Sequence, residues 1–296
     1  MTIQVKDKKN SSKLFYYKDK TEKMIAKAMG SFGEKSTLRD ACEFALTSGG
    51  KRLRPLMVFL VAEALGNGLD VSDAALSSEF FHTASLIADD LPCMDNDDVR
   101  RDHPSLHKAF GETVALLASY ALITAGFEWI SKNGRVMKEA EAPFSYLADR
   151  ACFIALEEAS QSAGICGATG GQFQDLFPKD KSINTIKDTI FKKTVTLFGT
   201  AFIFGWVFGG GDLNRLEPVK QCAAHFGTAF QIADDLIDGS QDRENDRGMN
   251  LALAIGTTRA RALFDQEMAE FKKGLEDLGL SSPSFDKLIE MLVQQV

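Results

Sequence analysis

Prolines are scarce in this chain. There are seven in 296 residues, and none in 1–54, 105–142, 144–177, 179–217 or 219–282. Such stretches place no break in a helix, and their apolar residues recur at helical rather than strand spacing. In 74–90, Leu76, Phe80, Ala84 and Ile87 follow at steps of four, four and three, with Ser72 or Asp73 available as the cap. The same spacing predicts helices over 54–65, 112–130, 145–166, 185–208, 216–237 and 257–278. Turn signals separate them at Gly66-Asn67-Gly68, Asn133-Gly134, Pro178 and Gly209-Gly210-Gly211. No stretch reads as a linker. The expectation is an all-α fold, one domain over 1–296 built as a large helical bundle. The polar, lysine-rich residues 1–12 are expected to be frayed.

Composition removes several function classes. A net charge of −7 and a pI near 5.3 give no basic face for a nucleic-acid backbone. The five cysteines, Cys42, Cys93, Cys152, Cys166 and Cys222, never stand at C-x-x-C spacing. They imply neither a zinc site nor a disulfide framework, and suit a reducing, cytoplasmic setting. The start MTIQVKDKKN has no apolar run behind its lysines, so it is not a secretory signal. The 18 residues from Thr194 to Gly211 carry no charge, which reaches the lower limit for a membrane span. Glycines and threonines dilute the run, and the expectation is a helix buried in a large core, not a span.

The acidic residues are concentrated. Five of the ten residues in DDLPCMDNDD, 89–98, are aspartate. A second group, Asp234, Asp235 and Asp238, lies in AFQIADDLIDG. Both follow apolar helical runs, and carboxylates this close repel unless cations bind. Asp234 and Asp238 share a helix face. Asp89 and Asp95 do so only if Pro92 ends or kinks the helix and the chain returns. Carboxylates alone suit hard ions, and Mg²⁺ takes a few of them and lets substrate phosphates complete its shell. Cationic residues stand close by in sequence: Lys51, Arg52 and Arg54 in GGKRLRP, then Arg100 with Arg101, then Lys192 with Lys193. The combination suggests a diphosphate held by metal on one side and by Arg and Lys on the other.

GGKRLRP, HTASLIADDLPCMDNDDVRR, GGQFQDL and FQIADDLID occur here in one order. In that order and spacing the chain resembles the trans-isoprenyl diphosphate synthases from about residue 40 to about 265. It is most similar to bacterial and plastid-type farnesyl and geranylgeranyl diphosphate synthases, whose first aspartate motif carries the two-residue insertion seen here near Pro92-Cys93. The resemblance implies a bundle around a deep central cavity and a homodimer. It implies about three Mg²⁺ per site, held by Asp89, Asp95, Asp175, Asp234 and Asp238. It assigns Arg100, Lys193, Thr194 and Gln231 to the allylic diphosphate (dimethylallyl, geranyl or farnesyl), the last three also to catalysis. Lys51, Arg54, His82 and Arg101 match the isopentenyl diphosphate site. His103, His107 and His225 are expected to be structural, and the phenylalanines at 198, 202, 204 and 208 to be core.

The resemblance has departures. Asp102 stands where relatives have glycine, and Ala88 where histidine is common. The stretch after Asp238 is short, with no lysine between Lys220 and Lys272, and Arg243 or Arg247 are the available substitutes. Two other readings stand beside a prenyl-elongating enzyme: a related terpene cyclase, against which the second DDLID motif speaks, and a non-catalytic subunit of a prenyl synthase. In the resembling enzymes, bulk four or five residues before the first aspartate stops chain growth. Here those residues are Ser85 and Ala84, both small, with Phe80 and Phe81 one turn deeper. The expected product is therefore geranylgeranyl diphosphate (C20), with farnesyl diphosphate (C15) as the alternative.

Overall fold

The computed structural model describes the backbone of residues 3–244 and 249–296 and the side chains of 13–237 and 249–296. Its helices are α1 (Ile3–Ala28), α2 (Thr37–Thr47), α3 (Leu53–Leu65), α4 (Ser72–Asp89), α5 (Leu106–Phe110), α6 (Glu112–Glu139) and α7 (Ala148–Ala163), then α8 (Ala168–Leu176), α9 (Ile183–Ile190), α10 (Thr196–Phe208), α11 (Leu216–Glu244), α12 (Leu251–Ile255), α13 (Thr257–Leu278) and α14 (Pro283–Val293). Among the described residues the only strands are the two-residue β1 (Val99–Arg100) and β2 (His103–Pro104), paired antiparallel. Residues 3–12, expected to be frayed, are the first turns of α1, while residues 1–2, Arg247 and the side chains of Asp238 and Arg243 lie outside the described residues.

The hub is α10, the uncharged run of the sequence. Every residue from Leu197 to Phe208 is buried, including the four phenylalanines expected there. An all-round apolar helix has no face for water and belongs inside, and α3, α7 and α11 pack around it. Among the described residues two helical runs are long and apolar enough to cross a membrane, α6 and Ile183–Phe208. The second is mostly buried within the protein.

The expected breaks at Gly66, Pro178 and Gly209–Gly211 fall where helices end. Asn133-Gly134 does not break the chain, and α6 continues to Glu139. The two residues are interior packing elements. Asn133 is buried, accepts from the Ala74 amide at 2.9 Å and donates to the Asp70 carbonyl at 3.3 Å. It thereby satisfies an amide in the first turn of α4. Neither Ser72 nor Asp73 caps that helix, whose N-cap position is Val71 with no side-chain bond. The cap comes from another helix, which local sequence could not reveal. Cys152 of α7 fills the space beside Gly134.

Helices α4 and α6 make the most extensive helix pair in the molecule. Small residues allow the approach, and hydroxyls fasten it. Ser77 Oγ donates to the Gly126 carbonyl at 2.8 Å, and Ser119 Oγ to the Ala84 carbonyl at 2.9 Å. Removing the Asn133 bonds strands a buried amide, so Asn133→Ala is expected to cost about 2 kcal/mol. A shift of the urea unfolding midpoint checks it, and an unchanged midpoint contradicts the role given to this side chain.

Candidate active site

α4 ends at Asp89, and the turn through Pro92 folds back so that the Asp95 amide donates to the Asp89 carbonyl at 2.9 Å. Asp89 and Asp95 are thus neighbours despite six residues of separation. Between α9 and α10 the residues Phe191–Val195 form a π-helical turn. Such turns recur at functional positions because they re-aim side chains, and this one carries Lys192, Lys193 and Thr194. It was not legible in the sequence, where 185–208 reads as one helix. α8 lies directly against it. A Cβ on Gly171 would come within 2.4 Å of the Lys193 amide nitrogen, so the second glycine of GGQFQD is required by close backbone approach.

Lys193 sits among carboxylates. Its Nζ is 2.6 Å from Asp175 and 4.0 Å from Asp95. Burial pulls the ammonium pKa down, but Asp175, Asp89 and Asp95 outweigh it and the pKa ends raised. Burial pushes the Asp89 carboxyl up to about 7, with Lys193 opposing and Asp95 reinforcing. Gln172 donates to Asp95 at 3.1 Å, while its own Oε1 is buried without a partner. Among the described residues no three acidic, histidine or cysteine side chains close on one point. The expected aspartate set is therefore dispersed, with the Lys193 ammonium between its members. The donors are nonetheless all carboxylates, and Asp89 is half-buried beside Asp95 and Asp90, which raise its pKa further. These residues fit Mg²⁺.

The two DD pairs divide their labour. Asp89 and Asp234 line a chamber of about 430 Å³. Asp90 is buried and takes the Arg100 guanidinium, with Nε at 2.9 Å. Asp235 is buried and accepts from Gln231 Nε2 at 2.9 Å and from the Leu251 amide at 2.7 Å. Gln231 in turn accepts from Thr194 Oγ1 at 2.8 Å. The second aspartates are scaffold: Asp235 orients the Gln231–Thr194 pair, and Asp90 fixes Arg100. Arg100 also reaches Asp97, so this cation borders the chamber already engaged.

The same chamber is lined by Lys51, Arg54, His82 and Arg101. Arg52, between Lys51 and Arg54, turns away at φ 52° into a buried cluster with Glu79 and Glu22. Burial lowers Arg54 to about 10, and burial with Arg54 and Arg101 holds the His82 pKa well below its usual value. His82 is therefore neutral at pH 7. Arg101 Nη2 approaches His82 Nε2 at 3.5 Å, which makes Nε2 the acceptor and leaves the ring proton on Nδ1. His82 Nδ1 and Arg54 Nε are both buried without a partner in the protein. Three cationic side chains, Lys51, Arg54 and Arg101, lining one chamber suit an anion. His107 is buried against Ser105, His225 bonds Glu267, and His103 packs edge-on against Phe44; all three are structural.

A second cavity of about 520 Å³ shares Ser85, Asp89, Lys193 and Leu197 with the charged chamber. Phe81, Ala84, Ala88, Ile123, Leu176 and Phe177 line it, and its wall is apolar. Ala88, in place of histidine, widens it. Phe80 does not line it. That ring is fully buried against Phe32 and Trp129 on the far side of α4, because adjacent residues on a helix point about 100° apart. Of the two expected floor residues only Phe81 faces the cavity.

The hairpin that delivers Arg100 and Arg101 has Arg101 and Asp102 at φ 55° and 63°. A type I′ turn has positive φ at both central positions, a conformation that glycine adopts more readily than aspartate. Asp102→Gly is expected to stabilise the protein by about 0.5–1 kcal/mol. A lower unfolding midpoint for the variant would contradict a strained turn.

Comparison with known proteins agrees with this geometry. The polyprenyl synthetase family model matches residues 35–250. A chloroplastic geranylgeranyl pyrophosphate synthase of Arabidopsis thaliana is 35% identical over 213 residues, covering 69% of this chain and 57% of the relative. The chain spans 55–58% of several other Arabidopsis thaliana synthases and 72% of a further one. A farnesyl diphosphate synthase of Bacillus subtilis is 30% identical over 303 residues, covering 95% of this chain and 98% of the relative. Among solved structures, an FPP/GFPP synthase from Zymomonas mobilis superposes with a TM-score of 0.81 at 28% identity, covering 96% and 97% of the two chains.

Proposed function

This chain belongs to the polyprenyl synthetase family, and from that premise we propose that it condenses isopentenyl diphosphate with an allylic diphosphate to make a longer prenyl diphosphate. The observation that carries the reading is the joined pair of cavities. A chamber lined by Asp89, Asp234 and Lys193 together with Lys51, Arg54, His82 and Arg101 opens into an apolar shaft. Two diphosphates and one growing hydrocarbon need that arrangement.

Asp89, Asp95, Asp175 and Asp234 would hold Mg²⁺, with Asp238 as the family's fifth ligand. When bound, the ions stabilise negative charge on the departing diphosphate. Lys193 adds a fixed cation at the same place. Thr194 gives its proton to Gln231, so its oxygen is left as an acceptor beside the allylic cation. Lys51, Arg54, His82 and Arg101 orient isopentenyl diphosphate for attack through its alkene. The apolar shaft excludes water that would trap the cation. The released diphosphate takes the proton lost from the new chain.

The product is C20. Ala84, Ser85 and Ala88 leave the upper shaft open, and Phe81 is the first bulky residue below. C15 is the second reading, favoured by the match over the full length of a farnesyl diphosphate synthase. Five unpaired cysteines suit a cytoplasmic, reducing compartment. The protein works as a homodimer paired through α6, where Leu116, Leu117 and Tyr120 stand exposed.

Incubation with Mg²⁺, isopentenyl diphosphate and allylic acceptors of increasing length tests the activity, and a chain that elongates none of them refutes it. Asp89→Ala and Asp234→Ala are expected to lower kcat by at least about 10²-fold. Lys51→Ala and Arg54→Ala should raise KM for isopentenyl diphosphate more than for the allylic substrate, and Lys193→Ala should lower kcat and act on the allylic side. Equal effects on both substrates would remove the partition. Leu117→Glu with Tyr120→Glu should yield monomers by light scattering.

A further inference from the structure

Gly126 lies on α6, on the cavity side and almost one turn beyond Ile123, which lines the shaft. A Cβ at this glycine would stand 2.7 Å from Phe81 Cζ, 2.8 Å from Cε2 and 2.9 Å from Cε1. Ordinary carbon contacts are about 3.5–4.0 Å. The Phe81 ring therefore occupies the space a side chain at 126 would need. The Gly126 φ is not positive, so its backbone conformation does not call for glycine. The ring does.

We infer that Gly126 is a positioning residue for product length: its missing side chain lets Phe81 lean back against α6 and keeps the shaft deep. The inference rests on the prenyl-elongating activity proposed above. Two neighbours limit how an added methyl could be absorbed. The Gly126 carbonyl accepts from Ser77 Oγ at 2.8 Å, which ties the α6 backbone to α4 at that level. Phe127 stands edge-on to Phe81 with centroids 5.0 Å apart, which closes one lateral escape. The open side is the shaft, about 520 Å³ of it. The atoms struck are the far end of a ring next to empty space, so the ring moves before the helices do. Aromatic χ1 wells are discrete, and a ring denied its place against α6 takes another well toward the shaft. The floor rises, and growth stops sooner.

The test uses the full chain with Mg²⁺, isopentenyl diphosphate and dimethylallyl diphosphate, the products being separated by chain length. Gly126→Ala is expected to lower the ratio of the longest wild-type product to the next shorter one by about tenfold, with KM for isopentenyl diphosphate within about twofold of wild type. Phe81→Leu should lengthen the product. Gly126→Ala combined with Phe81→Leu should give the same products as Phe81→Leu alone, because the methyl then has no ring to displace. A role confined to packing would reduce stability without changing product length and would not be cancelled by Phe81→Leu. An unchanged product from folded Gly126→Ala overturns the inference. If that variant fails to fold, the double variant decides: products shorter than those of Phe81→Leu overturn the inference, and matching products support it. A wild-type chain that makes no prenyl diphosphate refutes the proposed activity instead, which separates the two failures.

Discussion

The close packing of α4 on α6 is the constraint on which the rest depends. Three side-chain-to-backbone bonds hold it, from Ser77 to Gly126, from Ser119 to Ala84 and between Asn133 and Ala74. They are spread along the helix pair, so α4 has one register against α6. That register sets the direction of Asp89 at the end of α4, of His82 two turns before it, and of Phe81 and Ala84 on the wall between. A shift of α4 by one residue would turn the carboxylate away from Lys193. Buried hydroxyls and amides suit this task because each has a single acceptable partner, whereas apolar contacts tolerate sliding.

A second layer of polar bonds fixes the charged residues. Arg52 is fully buried with Glu79 and Glu22, an arrangement in which losing one partner leaves an uncompensated charge. It holds the GGKRLRP segment against α4 and so presents Lys51 and Arg54 on either side. Asp90 and Asp235 act in the same way on Arg100 and Gln231. The motifs are thus alternations of residues that face the chamber and residues that hold them there.

Much of this was legible in the sequence. Helix spacing gave the bundle, and aspartates on apolar helices beside clustered cations marked the residues that the fold brings to one chamber. The return of Asp95 to Asp89 followed from Pro92 alone. The rest was hidden for physical reasons. Asn133-Gly134 has turn composition, yet its amide serves a helix 59 positions away, and no local rule sees a distant acceptor. The π turn at Phe191–Val195 differs from α-helix by one residue per turn, within the tolerance of any periodicity. Phe80 and Phe81 are equivalent by composition, and only the α4 rotation fixed by the bonds to α6 separates core from cavity. Within one DD pair, likewise, sequence cannot say which carboxylate faces the ligand.

The chamber gathers charge of both signs, with Lys51, Arg54, Arg101 and Lys193 lining it beside Asp89 and Asp234. The Arg54 guanidinium is displaced downward in pKa by burial, so a diphosphate entering beside it meets a charge that water does not screen. Carboxylates around Lys193 present the complementary need, a shortage of positive charge that burial of Asp89 sharpens. The chamber thus asks for cations at its carboxylates and an anion at its arginines. Under the proposed activity a metal–diphosphate complex would meet the first need and a second diphosphate the other, and charges preset in this way act most strongly on a transition state.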